Sequence, residues 1–406
     1  MSGEDRYYSE LGRSYQPGAI NQVAFAALEL KKQGKRLISL AGGLYDPDSV
    51  PYEAVKEILS EASPEDWSDI LQYGNTMGSP ELREALSQFM AGHGVEANPE
   101  SEILVTSGSQ QALDVVSKTF IDPGDVLLVG SPTYLQALSA FRQFNPEFRT
   151  IPVDDRGMNT DALEETLNGL SSEGKRAKLL YVIPSFQNPT STVLSQGRRR
   201  RMLELAEEHD LLIVEDNPYG YISFDGPMPT PLKAMDDGGR VLYTSTFSKI
   251  VSPGLRIGWL AAREDFVEKM TEAKNNVNIS NDGLSTYVAT EFLERGLVER
   301  QIPKMTRVYR EKRDVMLEAM VDSFPEKARW NDPKGGLFLW AEMPGHVDTT
   351  GMMMDAVRKG VAYVPGSNFF VDTSIRNYIR LNYSFPSLDD IREGIGILGG
   401  LLREKV

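Results

Sequence analysis

Residues 241–261 read VLYTSTFSKIVSPGLRIGWLA, and this stretch decides the fold. It opens on a short apolar run, Val241–Tyr243. Hydroxyls follow, Thr244, Ser245, Thr246 and Ser248, and then Lys249. The chain turns at Pro253-Gly254, passes Arg256 and enters a second apolar run, Ile257–Ala261. Short continuous apolar runs bounded by turn residues read as strands buried on both faces. The connection between these two is short enough to predict an antiparallel pair. A lysine set directly after a buried strand, among hydroxyls, is not an ordinary solvated lysine. Its neighbours could donate to a phosphate, and Arg256 could neutralise one.

Working outward, similar runs occur at Ile103–Val105, Val126–Val129, Leu179–Ile183 and Leu211–Val214. The segments between them are long enough for crossover helices. This alternation predicts an α/β fold with a mainly parallel sheet covered by helices. Further helix is expected near Ile20–Lys32 and, as one long stretch, from about Asn275 towards Ala319. Beyond it lie Gly335-Gly336-Leu337-Phe338-Leu339-Trp340, a helix, Val361–Pro365 and Tyr378–Asn382, the pattern of a smaller α+β domain. The expected organisation is an N-terminal segment (1–50) packing on the small domain and the pocket, a large domain (51–295) and a small C-terminal domain (296–406).

Composition narrows the chemistry. The 406 residues carry 43 Lys+Arg against 58 Asp+Glu, a formal net charge of −15. Such a surface repels nucleic acid and anionic lipid. The basic run Arg198–Arg201 opens an expected helix and reads as a solvated face. Cysteine is absent, which removes disulfides, thiolate nucleophiles and Cys-ligated metal together. The three histidines, His93, His209 and His346, have no metal-ligand spacing. No apolar run is long enough to span a bilayer, and the polar N-terminus does not read as a signal peptide. The expectation is a soluble, cytoplasmic enzyme that takes its chemistry from Lys, Asp, Arg, Tyr, Ser and Asn or from a bound cofactor.

In a parallel α/β sheet, ligands bind beyond the carboxyl ends of the strands. The residues found there are Ser109 and Gln110 at a helix start, Tyr134 after Ser131-Pro132-Thr133, and Asn188 before Pro189. Asp216 follows Glu215 and precedes Asn217-Pro218-Tyr219. Arg380 lies inside a strand of the small domain. Each has a plainer explanation alone: an N-cap, packing, a turn, a cap, a surface lysine, an ion pair. Together they match what pyridoxal phosphate requires. It needs a lysine for covalent attachment, a carboxylate for the pyridine nitrogen, an anion cradle, an aromatic to stack on the ring, and donors to its phenolic oxygen.

The chain resembles fold-type I pyridoxal-phosphate aminotransferases of class I/II, most of all the α-aminoadipate/kynurenine subgroup. The motifs are AGGL (41–44), QYGNTMGSPELRE (72–84), TSGSQQALD (106–114), SPTY (131–134), PSFQNPT (184–190), VEDNPYG (214–220), TFSKIVSPGLRIGW (246–259), PKGGLFLW (333–340) and YVPGSNFF (363–370). The resemblance implies a mainly parallel seven-stranded sheet with helices on both faces. It also implies transamination between an L-amino acid and a 2-oxo acid such as 2-oxoglutarate. Lys249 then matches the lysine that bonds the cofactor and moves the Cα proton. Asp216 matches the partner of the pyridine nitrogen. Asn188 and Tyr219 match the donors to the phenolic oxygen, and Tyr134 matches the stacking ring. Ser109, Gln110, Thr246, Ser248 and Arg256 match the phosphate site. Arg380 matches the clamp for the substrate carboxylate, and Gly43 lines the substrate pocket. Tyr73 matches a tyrosine that reaches the neighbouring subunit's site, which implies a homodimer.

Two departures bear on substrate. Dicarboxylate-accepting members carry an arginine where Asn21 stands, so neutral, aromatic or branched side chains are favoured over aminoadipate. Ser191 replaces the usual glycine after Pro-Thr, and Tyr45-Asp46-Pro47 follows AGGL where the subgroup has proline. Both changes are expected near the pocket mouth. A pyridoxal-phosphate lyase and the pyridoxal-binding domain of a regulator would share the cofactor residues. The regulator usually follows a DNA-binding domain, for which no room is seen before Ala41. A segment near residues 13–34 is a candidate for closing over substrate.

Overall fold

The computed structural model describes residues 5–15, 25, 32, 34 and 36–406. Asn21 lies outside them, as does almost all of the helix expected near Ile20–Lys32 and of the candidate closing segment.

The large sheet is built from β1 (Ile103–Thr106), β2 (Val126–Ser131), β3 (Glu147–Asp154), β4 (Gly157–Met158), β5 (Ala177–Val182), β6 (Leu212–Asp216), β7 (Val241–Thr246) and β8 (Gly258–Ala261). Their order is β1-β8-β7-β6-β5-β2-β3-β4. The central strands run parallel, β8 is antiparallel to both β1 and β7, and β4 is antiparallel to β3. The antiparallel turn expected through Pro253-Gly254 is therefore present. The sheet has eight strands, not seven, because the two-residue β4 adds a short edge. Four of the first five residues of β3 are only partly buried or exposed, so it carries no continuous apolar run.

Helices cover both faces: α1 (Ser109–Phe120), α2 (Leu135–Arg142), α3 (Thr160–Ser172), α4 (Gln196–Glu208) and α5 (Glu264–Asn275). Successive strand residues point to opposite sides. Leu127 and Val129 join the core with Val116, Phe141 and Met270, whereas Val126 and Leu128 join Leu163, Leu167, Met202 and Leu205. Arg198–Arg201 is not a solvated face. Arg198 is paired with Asp154, and Arg199, 1% exposed, donates to the carbonyls of Leu194, Thr230 and Pro184. All but Leu194 are remote in sequence, which is why the run looked free.

The long helical stretch divides into α6 (Gly283–Glu294) and α7 (Leu297–Ser323), because Gly296 takes the left-handed φ of 62° between them. The smaller antiparallel sheet holds β9 (Arg329–Trp330), β10 (Phe338–Glu342), β11 (Val364–Pro365) and β12 (Tyr378–Asn382), in the order β9-β10-β12-β11. It is followed by α8 (Leu388–Arg403). Ile38–Ser39 pairs in parallel with Val361–Ala362. No helix among the described residues is long and apolar enough to cross a membrane.

α7 anchors the segment that follows Gly43. Lys312 Nζ pairs with the buried Asp46 at 2.6 Å and donates to the Ser384 carbonyl at 3.0 Å. Gln301 donates to Tyr45 Oη and to the Ser49 carbonyl. Tyr45 and Asp46 are thus interior anchors rather than residues of a pocket mouth. Replacing one member of a buried ion pair strands the other. Lys312→Met is expected to lower the unfolding free energy by about 3 kcal/mol in urea denaturation. Adding Asp46→Leu should recover most of the loss, whereas an unrecovered double variant would show that the pair is not the anchor.

Candidate active site

The strand ends converge on one cavity of about 210 Å³. At one end, Ser109 and Gln110 open α1 behind Gly108, which has φ 78° and provides no side-chain cap. The first N–H groups of the helix are therefore available to an anion. Arg256 lies beside them. Its guanidinium donates to the Ser107 carbonyl at 3.1 Å and to Ser248 Oγ at 3.3 Å. A Cβ on Gly108 would sit 2.5 Å from that guanidinium, so the cradle requires glycine for space as well as for φ. Thr246 and Ser248 add hydroxyls 3.0 Å apart.

Asp216 ends β6 and is 2% exposed. Tyr181 Oη donates to its Oδ2 at 2.7 Å, whereas Oδ1 is buried with no partner. Burial pushes the carboxyl up to about 6, against the opposing effects of Tyr181 and Lys249. Its neighbour Glu215 faces elsewhere and accepts the backbone N–H groups of Leu232 and Lys233. Tyr181 is the functional neighbour that sequence reasoning missed. It lies within the apolar run Leu179–Ile183, and the only signal was a phenol that needs a partner when buried.

Lys249 ends the helical turn after β7, and its Nζ donates to the Gly43 carbonyl at 2.7 Å. Burial pushes the amine down to about 8, and Arg380 and Arg256 push the same way. Opposite it, Arg380 is 1% exposed on β12. It donates to Asn188 Oδ1 at 3.1 Å and to the Ala41 carbonyl at 2.6 Å, while its Nε has no partner. Its guanidinium lies 4.1 Å from the Phe338 ring centroid. Hydrogen-bonded here to neutral oxygens, it retains its charge for an anionic ligand. Asn188 also donates to Tyr219 Oη at 3.3 Å. Tyr134, Tyr219 and Gly43 complete the walls named from sequence. A Cβ on Gly43 would come within 2.9 Å of Phe338.

Tyr73 is not brought to this cavity. It is 77% exposed on a loop after the helix Pro64–Ile70. Ser191 does not line the cavity either. It is buried at φ 52°, and its hydroxyl donates to the Phe338 carbonyl at 2.6 Å. No metal-binding cluster of His, Asp and Glu occurs among the described residues.

Lys249 sets a pH signature in the cofactor-free protein. With a folded value near 8 and an ordinary value of 10.5, its stabilising contribution is complete above 10.5 and is lost as pH falls through 8. Lys249→Met should therefore stabilise that protein at pH 7, by about 3 kcal/mol relative to its effect above pH 10.5. Urea denaturation across this range would show the advantage shrinking as pH rises. A pH-independent difference would contradict the assignment.

Similarity to known proteins points the same way. The chain is 43% identical to aromatic-amino-acid aminotransferase 1 of Thermococcus litoralis, over 99% of this chain and 95% of the relative. A kynurenine aminotransferase of Pyrococcus horikoshii, solved in complex with PMP, superposes with a TM-score of 0.94 at 38% identity, covering 100% of this chain and 99% of that one. An α-aminoadipate aminotransferase of Thermus thermophilus, solved with N-(5'-phosphopyridoxyl)-L-leucine, gives 0.90 at 33% identity, covering 99% and 98%. The chain belongs to the aminotransferase class I and II family, whose model it matches over residues 35–398.

Proposed function

We propose that this cavity transfers an amino group between an L-amino acid and a 2-oxo acid with pyridoxal 5'-phosphate as cofactor. The observation that carries the reading is the convergence of Lys249, Asp216 and Arg380 on one cavity. When bound, the cofactor supplies a reactive carbonyl and an electron-accepting ring. The residues fit such a group. The exposed N–H groups of α1, with Thr246, Ser248 and Arg256, suit its phosphate. The unpartnered Asp216 Oδ1 suits a protonated ring nitrogen. Asn188 and Tyr219 suit the phenolic oxygen, and Tyr134 suits the ring face.

Arg380 holds the substrate's α-carboxylate through its fork of N–H donors. Lys249 would hold the cofactor covalently. Lys249 would also serve as general base for the Cα proton, and in the cofactor-free protein burial lowers its amine to about 8. Asp216 keeps the ring nitrogen protonated, and Tyr181 holds the carboxylate oxygen that faces away. Phe338 and Leu44 supply apolar walls, which supports neutral and aromatic donors over aminoadipate.

The active species is a homodimer in which Tyr73 completes the neighbouring site. Its exposure, together with that of Leu71 and Ile279, supports this. The large cofactor-binding unit is residues 51–295, and the small α+β unit is 296–406, with 1–50 packed against it. A cytoplasmic location belongs to the same proposal.

Lys249→Ala should lower turnover by about 10³-fold. Borohydride reduction and peptide mapping of the unmodified holoenzyme should find the cofactor on Lys249. Normal transamination by the variant would overturn the reading. The dimer has its own test. The purified heterodimer of one Tyr73→Ala and one Lys249→Ala subunit should show about half of the wild-type rate, because one of its two shared sites is intact. Activity equal to the mean of the two parents would place Tyr73 outside the neighbouring site.

A further inference from the structure

Ser191 combines three features that transamination itself does not require. It is fully folded into the interior, its backbone is left-handed at φ 52°, and its hydroxyl makes a 2.6 Å bond to the Phe338 carbonyl. Serine gains nothing from that conformation, since a non-glycine residue there is unfavourable. The hydroxyl bond is what the side chain adds.

The bond links two separate sheets. The turn 187–192 follows β5, whereas Phe338 begins β10. β9 pairs only with Glu342 and Ala341, so Phe338 lies beyond the end of that strand and is paired on its other side alone, with Asn382 of β12. Asn331 extends the contact: its Oδ1 accepts from Trp340 N, and its Nδ2 donates to the Thr190 carbonyl. The Phe338 ring lies against the Arg380 guanidinium and meets Tyr219 edge-on at 5.7 Å. The same turn carries Asn188, which bonds both Arg380 and Tyr219. Two points of one turn therefore hold Arg380, one directly and one through Phe338.

We infer that Ser191 is a positioning residue for substrate selection, fixing Phe338 as the wall that favours bulky apolar side chains. This rests on the aminotransferase reading of the cavity. Without the tether the Phe338 backbone is held on one side only, by its pairing with Asn382 of β12, and the ring can shift away from a large side chain. The carboxylate clamp keeps its direct bond to Asn188. The expected defect is selective for side-chain size.

The test uses holoenzyme and two carboxylates that lack an amino group, 3-phenylpropanoate and propanoate, with binding measured by calorimetry. Ser191→Ala and Ser191→Gly should both weaken 3-phenylpropanoate about tenfold and propanoate less than twofold. In steady state, KM for phenylalanine should rise in the same proportion, with kcat and the KM for alanine little changed. Phe338→Leu should reproduce the selectivity loss with Ser191 intact. It also decides the matter if the Ser191 variants fold poorly. The double variant Ser191→Ala/Phe338→Leu should lose no more than the worse single variant, because the two act as one unit. Equal weakening of both probes, wild-type binding by Ser191→Gly, or additive losses would overturn the proposal. Any of these would leave the Lys249 experiment, and with it the assignment of the reaction, untouched.

Discussion

The site depends on a carboxylate withdrawn from water at the end of a buried strand. Asp216 carries a charge that an apolar interior disfavours, and its raised pKa records that cost. One oxygen is satisfied by Tyr181, and the other is not satisfied by the protein. A buried acceptor left open in this way marks the place of a ligand atom. The parallel strands make it possible. β6 delivers Asp216 and β7 leads to Lys249 at neighbouring carboxyl ends, so the two arrive in one cavity without any long-range arrangement of loops.

The small sheet supplies what the large one cannot. Arg380 sits on β12, lines the same cavity as Lys249, and bonds to the Ala41 carbonyl of the strap that runs on to Gly43. That strap is held from behind by Lys312 and Gln301 of α7, and from β12 by the Asn382 N–H, which donates to the Leu40 carbonyl at 2.8 Å. The lysine, the arginine and the strap are therefore mutually located. Lys249 itself donates to the Gly43 carbonyl, so one strap bonds both the lysine and the arginine of the site.

Most of the site was legible because its residues stand where local sequence is informative, in the turns directly after apolar runs. Ser109, Asn188 and Lys249 each follow a strand and Asp216 ends one, and the chain position alone suggests exposure to a crevice. Arg380 was legible for the opposite reason: a cation inside an apolar strand needs explanation. Tyr181 and Phe338 were not legible as parts of the site, because within apolar runs they are indistinguishable from packing. Ser191 was visible as a departure from glycine, but its role depends on a carbonyl distant in sequence. In the fold, β3 escaped notice because only its last two residues are covered by β4, so most of it lies along the sheet edge and needs no continuous apolar run, and Arg198 and Arg199 looked solvated because most of their acceptors lie elsewhere in the chain.

The electrostatics of the cavity oppose those of the molecule. The whole chain carries −15, yet the charged residues lining the cavity are Lys249, Arg256 and Arg380 against Asp216 alone, a formal balance of 3 − 1 = +2. Two of those cations help burial to depress Lys249. Bound phosphate and carboxylate would offset Arg256 and Arg380, which weakens that part of the depression and leaves burial as the remaining cause. The base is thus most readily deprotonated before the anions arrive. A lysine lowered in this way presents part of its amine uncharged to an electrophilic carbonyl near neutral pH.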